Sequence, residues 1–309
     1  MNYKKAGWLF LSIILVHLLA TLAASLFSES YNNLSVAVRA IMGEMIVLIP
    51  VIVFTVMACR ATGEGPAKIL GLKKIRIGTV FLMALYGLLI IPVTLFLNMV
   101  SMLFTENVVT SSIDQVSAYP IVAVMIVAGL YGPLVEEICC RGLIFGGLRK
   151  NMSAIAAILL SALSFGLIHL NLNQFVYATG MGIFVALAVE AVGSVWASFI
   201  VHMVINTEQM LLMLLVNKVS PDFYSEVAPQ FGRKELLMSM PVYLFVGGFC
   251  ASLAIGVLAW ASHHEGRLEV LSKLKETPEC GVRGKAVLTI PYMIAVVLCV
   301  VVIVYEELH

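Results

Sequence analysis

The chain has 309 residues, of which 61% are hydrophobic and 12% charged, with a net charge of +1 and a mean hydropathy of +1.01. A soluble domain carries about twice that charged share, and so few charges cannot furnish the polar shell of a water-soluble fold. With no basic excess there is no electrostatic footprint for a nucleic acid either.

Apolar runs of about 18–25 residues are long enough to cross about 30 Å of hydrocarbon. Such runs occur at 7–27, 40–59, 78–104, 119–148, 152–170, 175–192, 194–217, 240–262 and 286–305. The first is too long for a signal-peptide core and no cleavage site follows it, so it reads as an anchoring span. The sixth is short and glycine-rich, so eight full spans plus one irregular segment fit as well as nine. The chain is therefore read as all-α, a polytopic transmembrane helix bundle of about eight spans, with residues 1–309 forming one integral membrane domain in the lipid bilayer. The six cysteines (Cys59, Cys139, Cys140, Cys250, Cys280 and Cys299) form no CxxC pair and read as small packing residues.

Basic residues set the expected orientation in the cell membrane. Lys4 and Lys5 precede the first run. Lys68, Lys73, Lys74 and Arg76 follow the second, Arg149 and Lys150 the fourth, and Arg267, Lys273, Lys275, Arg283 and Lys285 the eighth. With nine crossings and a cytoplasmic N-terminus, all four clusters fall inside. The 105–118 segment, with Glu106 and Asp114, falls outside. Lys218, Arg233 and Lys234 in the 218–239 loop fit this scheme least well.

An ionisable side chain within a span costs about 2.5–3.5 kcal/mol on insertion scales, so such residues are rare and mark functional sites. Here they concentrate between 136 and 209. The fourth run carries Glu136-Glu137-Ile138-Cys139-Cys140-Arg141, the fifth Phe165-Gly166-Leu167-Ile168-His169, and the seventh His202-Met203-Val204-Ile205-Asn206. At about 100° per residue, Glu137 and Arg141 share one face, the acid preceding the base, whereas Glu136 lies about 140° from Arg141. Ser161, Phe165 and His169 form one stripe of the fifth run, and Ser198, His202, Asn206 and Gln209 one of the seventh. A hairpin turning near Lys150–Met152 brings Glu136 and His169 to one level. His202 lies nearer its own turn and needs a tilt or an irregular sixth segment to join them. Arg39 and Glu44 pair across about one turn, and His17 reads as packing. Glu190 and Glu208 have no assigned partner.

A carboxylate beside an imidazole in a low-dielectric cavity can deprotonate water, and a second histidine with an asparagine offers donors to an oxyanion. That combination suits hydrolysis of a peptide or ester. Two histidines and one glutamate are equally the ligand set of a catalytic zinc, although no HExxH is present.

These residues resemble the CPBP family of CAAX proteases and bacteriocin-processing membrane proteases, whose pattern EExxxR, FxxxH, HxxxN runs over successive membrane helices. Glu136-Glu137…Arg141, Phe165…His169 and His202…Asn206 meet all three, within a core of about 119–209. The resemblance implies an intramembrane endopeptidase acting on a peptide or protein substrate. It also implies catalytic roles: Glu136 and His169 activate water, His202 and Asn206 hold the oxyanion, and Glu137, Arg141 and Phe165 support them. Zinc held by His169, His202 and Glu136 stays open at this stage. The competing readings are a proton-coupled transporter and a catalytically idle immunity protein on the same fold.

Overall fold

The computed structural model describes residues 2–105, 107, 113–221, 223, 232–278 and 288–308. Glu106, Cys280, Arg283 and Lys285 lie outside them. The described residues form nine principal helices: α1 Tyr3–Leu26, α2 Val36–Thr62, α3 Ile77–Ser101, α4 Ile121–Arg149, α5 Ala154–Leu167, α6 Leu172–Val192, α7 Val195–Val219, α8 Arg233–His264 and α9 Ile290–Leu308. Eight of them, all but α5, are long and apolar enough to cross a membrane. The protein is an all-α, multi-pass membrane bundle.

Local chemistry starts and stops these helices. Asn2, Ser35, Ser153, Asn171 and Ser194 each accept a backbone N–H of the following first turn with their side chains, which satisfies donors that the helix leaves open. Gly63 and Gly193 end α2 and α6 in the left-handed region, at φ 69° and 81°.

The short element is the fifth, not the sixth. Helix α5 has 14 residues, about 21 Å at 1.5 Å per residue and less than the hydrocarbon thickness. It stops because Leu170 turns left-handed (φ 55°) and Asn171 caps the next helix, accepting from the Gln174 N–H at 2.8 Å. Helix α6 is an unbroken 21 residues, and over half of it (56%) is buried, against 17% for α8. Its glycines serve close packing: a β-carbon on Gly182 would stand 3.0 Å from the Ala162 backbone of α5 and 3.3 Å from the Arg141 guanidinium. Small residues that let backbones approach are the usual glue between membrane helices. A hydropathy pattern cannot tell a glycine that breaks a helix from one that admits a neighbour.

Irregularity lies in α4 instead. Wide π-type turns at Met125–Tyr131 and Ile138–Phe145 flank one regular stretch, Gly132–Glu137. Such turns occur often at functional sites because they re-aim side chains. Helices α2 and α7 both pack on this central stretch, while α5 and α6 form a hairpin beside the second wide turn. Leu19, Leu22, Phe245, Phe249, Val297 and Val301 on the outer helices remain exposed, as lipid-facing side chains do.

The loop-end charges hold this arrangement at one side. Arg149 Nε and Nη2 each lie 2.9 Å from Glu190 Oε1, and Arg267 Nη2 donates to the Glu190 carbonyl at 3.0 Å. Glu190 thus joins the ends of α4 and α6 to the segment after α8, which accounts for a residue the sequence left without a partner. Glu190 is 7% and Arg149 26% exposed, so Glu190→Gln is expected to cost about 1–2 kcal/mol, between the values for exposed and buried pairs. The check is thermal unfolding in detergent; an unchanged melting temperature removes this pair from the account of stability.

Candidate active site

Glu137 is fully buried, and its Oε1 accepts from Arg141 Nη1 and from His202 Nδ1, each at 2.9 Å. The first contact is the one expected from i, i+4 spacing. The second is new, because it joins residues 65 apart in the chain. Arg141 is held on three sides. Besides Glu137 it donates to the Gly182 carbonyl at 3.1 Å, and its guanidinium lies 4.4 Å over the Phe165 ring. Phe165 in turn meets both imidazoles edge-on, at 5.2 Å from His169 and 5.5 Å from His202 between ring centres. It is the spacer that sets the two histidines apart.

The imidazoles differ in what holds them. His169 Nδ1 lies 2.8 Å from the Phe165 carbonyl, which can only accept, so Nδ1 carries the proton and Nε2 presents a lone pair. His202 Nδ1 donates to the Glu137 carboxylate. That carboxylate can neutralise a positive charge on His202, whereas Phe165 offers His169 only a carbonyl dipole. Both Nε2 atoms face Glu136: His169 Nε2 is 3.9 Å from Oε1, and His202 Nε2 is 3.6 Å from Oε2. These separations exceed a direct hydrogen bond and fit contacts made through a small molecule between the groups.

Glu136 is 17% exposed at its side chain and opens on a cavity of about 410 Å³. Asn206, one turn beyond His202 on α7, lines the same cavity, and its amide also donates to the Ala128 carbonyl at 3.4 Å. Gln209, next along that face, donates to Thr94 of α3 at 3.0 Å. Glu136, His169 and His202 therefore meet in space, and Asn206 opens on the same cavity. Glu137, Arg141 and Phe165 form the layer behind them.

Two further carboxylates line this cavity, Glu44 and Glu208, together with Tyr177 and Gln174 of α6. Sequence reasoning gave Glu44 only a local partner and left Glu208 unassigned. The available signal was the same for both, an ionisable residue within an apolar run. Among the described residues, no group of three or more His, Cys, Asp or Glu is placed to hold a metal ion. As positioned, Glu136, His169 and His202 do not form a zinc ligand set.

Residues 118–207 match the family described as "Type II CAAX prenyl endopeptidase Rce1-like". The chain is also 30% identical over 102 residues to "Putative membrane peptidase YdiL" of Bacillus subtilis (strain 168), covering 33% of this chain and 41% of that protein. It thus spans less than half the length of that relative. No solved structure matches the chain. The matched segment holds Glu136, Glu137, Arg141, Phe165, His169, His202 and Asn206 together, the residues just described as converging around one cavity. Residues 118–207 of this membrane protein are thus similar to the Rce1-like type II CAAX prenyl endopeptidases.

Proposed function

We propose that the protein is an intramembrane endopeptidase that hydrolyses a peptide bond with a water activated at Glu136. The observation that carries this reading is the convergence of the Glu136 carboxylate with two imidazole Nε2 atoms, at 3.9 and 3.6 Å, beside a 410 Å³ cavity. The carboxylate and the His169 Nε2 lone pair are both acceptors. A water between them donates one hydrogen to each, which orients its oxygen lone pair toward a carbonyl carbon in the cavity.

As the water attacks, Glu136 takes its proton and the carbonyl oxygen becomes an oxyanion. His202, whose Nδ1–H is anchored on the Glu137 carboxylate, is the imidazole suited to carry a positive charge and donate from Nε2 to that oxyanion. The Asn206 amide is the second donor in reach of the cavity. Glu137, Arg141 and Phe165 fix the two rings. The donor set supports carboxylate-driven water activation, and no step here runs through a metal. The substrate is a peptide or protein segment. The four Lys/Arg clusters favour a cytoplasmic N-terminus.

The test is incubation of the purified full chain in detergent with a peptide library, read by mass spectrometry, against Glu136→Ala. Cleavage by the wild type alone supports the reading; equal product patterns from both end it.

His169→Ala and His202→Ala are each expected to abolish turnover while the bundle stays folded, with His202→Ala the more destabilising because it strips a partner from buried Glu137. Elemental analysis of the same preparations checks the metal-free account. A stoichiometric zinc in the wild type that disappears in both variants would establish His169, His202 and Glu136 as its ligands.

Cys139 and Cys140 flank the motif, but both are fully buried. Replacing both by Ala is expected to leave cleavage largely intact, and thiol reagents are expected to modify the folded protein little. Loss of turnover in a well-folded double variant would instead identify a thiol nucleophile.

A further inference from the structure

Glu44 comes from α2, outside the Rce1-like segment, yet it faces the same cavity as Glu136. Gly132 makes this possible. A β-carbon there would stand 3.1 Å from Glu44 Oε1, so the absence of a side chain lets the carboxylate sit close to this face of α4, and an added methyl would push it aside by a few tenths of an ångström. Glu136 lies four residues on, one turn along the same face of the regular Gly132–Glu137 stretch. Glu44 Oε2 is buried and has no hydrogen-bond partner. Glu44 and Glu136 therefore look into one cavity, which Glu208 also lines.

The described residues lining that cavity include no Lys or Arg. The nearby guanidinium, Arg141, is occupied by Glu137, the Gly182 carbonyl and the Phe165 ring. Around Glu136, its own helix contributes Glu137, Cys140 and Arg141, and α2 contributes Glu44. The α5–α6 side contributes His169 and Tyr177, and α7 contributes His202 and Glu208. Carboxylates that share such a space with no Lys or Arg lining it oppose each other's ionisation, and a neighbouring pair of this kind holds one proton between its members.

We propose that Glu44 is a second catalytic carboxylate, which shares one proton with Glu136 and delivers it to the leaving amine nitrogen. This rests on the endopeptidase reading. In the resting site Glu44 is protonated and Glu136 ionised. Water attacks the carbonyl carbon, its O–C bond forms, and Glu136 takes one of its protons. The C–N bond then breaks while the Glu44 O–H proton passes to nitrogen, giving the amine and the new carboxyl group. A proton returns from Glu136 to Glu44, and the pair is restored with one water consumed.

The experiment compares wild type, Glu44→Gln, Gly132→Ala and Glu136→Gln as purified full chains. Two measurements are made: the pH dependence of kcat and KM on a peptide the wild type cuts, and infrared titration of the carboxyl stretch, with the Glu136 band assigned from Glu136→Gln. Glu44→Gln is expected to lower kcat by about 100-fold or more with KM little changed, and to erase the alkaline limb of the kcat profile, where the acid loses its proton. The Glu136 band is expected to titrate at a different pH once Glu44 is gone. Gly132→Ala, which displaces Glu44 without removing it, is expected to shift both readouts in the same direction by less, and it serves if Glu44→Gln folds poorly.

A wild-type kcat profile in Glu44→Gln, or a Glu136 band that titrates unchanged in both variants, overturns the proposal. If the wild type cuts no peptide, the endopeptidase reading and the leaving-group role fall together. The infrared titration then still decides whether the two carboxylates share a proton.

Discussion

Glu136→Gln is expected to eliminate peptide cleavage, lowering turnover by about 10³-fold or more, while the melting temperature in detergent stays nearly where it was. Both halves follow from the geometry. The Glu136 side chain is the more exposed of the two adjacent glutamates, and it faces imidazole nitrogens at 3.6 and 3.9 Å, too long to act as hydrogen bonds. A carboxamide of the same shape therefore breaks nothing that holds helices together. It does remove the carboxylate proposed to take a proton from water beside His169, and loss of a general base costs about 10²–10⁴ in rate. Cleavage rate and unfolding temperature measured on one preparation check the pair of claims. Residual cleavage near the wild-type rate would falsify the assignment of Glu136 as the base.

Glu137→Gln is expected to behave in the opposite way, losing stability and activity together. The Glu137 and Arg141 side chains are both 0% exposed, and Glu137 Oε1 receives two donors at 2.9 Å. The amide keeps the shape but not the charge, and arginine cannot shed its proton to compensate. An unpaired buried guanidinium costs about 3–5 kcal/mol. His202 simultaneously loses the carboxylate that orients its ring, so turnover falls as well. Arg141→Gln should be destabilising for the reciprocal reason. The double replacement Glu137→Gln/Arg141→Gln should be less destabilised than the sum of the two, since removing both charges leaves neither stranded. Melting temperatures of the three variants form a double-mutant cycle that measures this coupling. If Glu137→Gln is inactive yet as stable as wild type, and Glu136→Gln still cuts, the two glutamates have exchanged roles.

Helix spacing was enough to separate these two residues. Glu137 and Arg141 are one turn apart, and that relation depends only on the rise and twist of a helix. It survives even though the wide turn at Ile138–Phe145 distorts α4 just beyond it. The same holds for the membrane spans, because apolar length maps directly onto the thickness of the hydrocarbon core. The approximate level shared by Glu136 and His169 also follows from counting residues to a common turn. The sixth run misled because composition records glycine without recording what approaches it.

What the chain alone determined about this protein is thus the part governed by short-range geometry. This part includes an all-helical membrane bundle, a polar cluster concentrated between residues 136 and 209, and an acid–base pair on one helical face. Tertiary structure decided which distant groups complete those faces. His202 meets Glu137 across 65 residues, Arg149 closes on Glu190, and Glu44 enters the cavity over Gly132. Each of these contacts depends on how helices cross and how closely their backbones approach. Those quantities are set by side-chain packing between elements far apart in the chain, and no periodicity within a single helix encodes them.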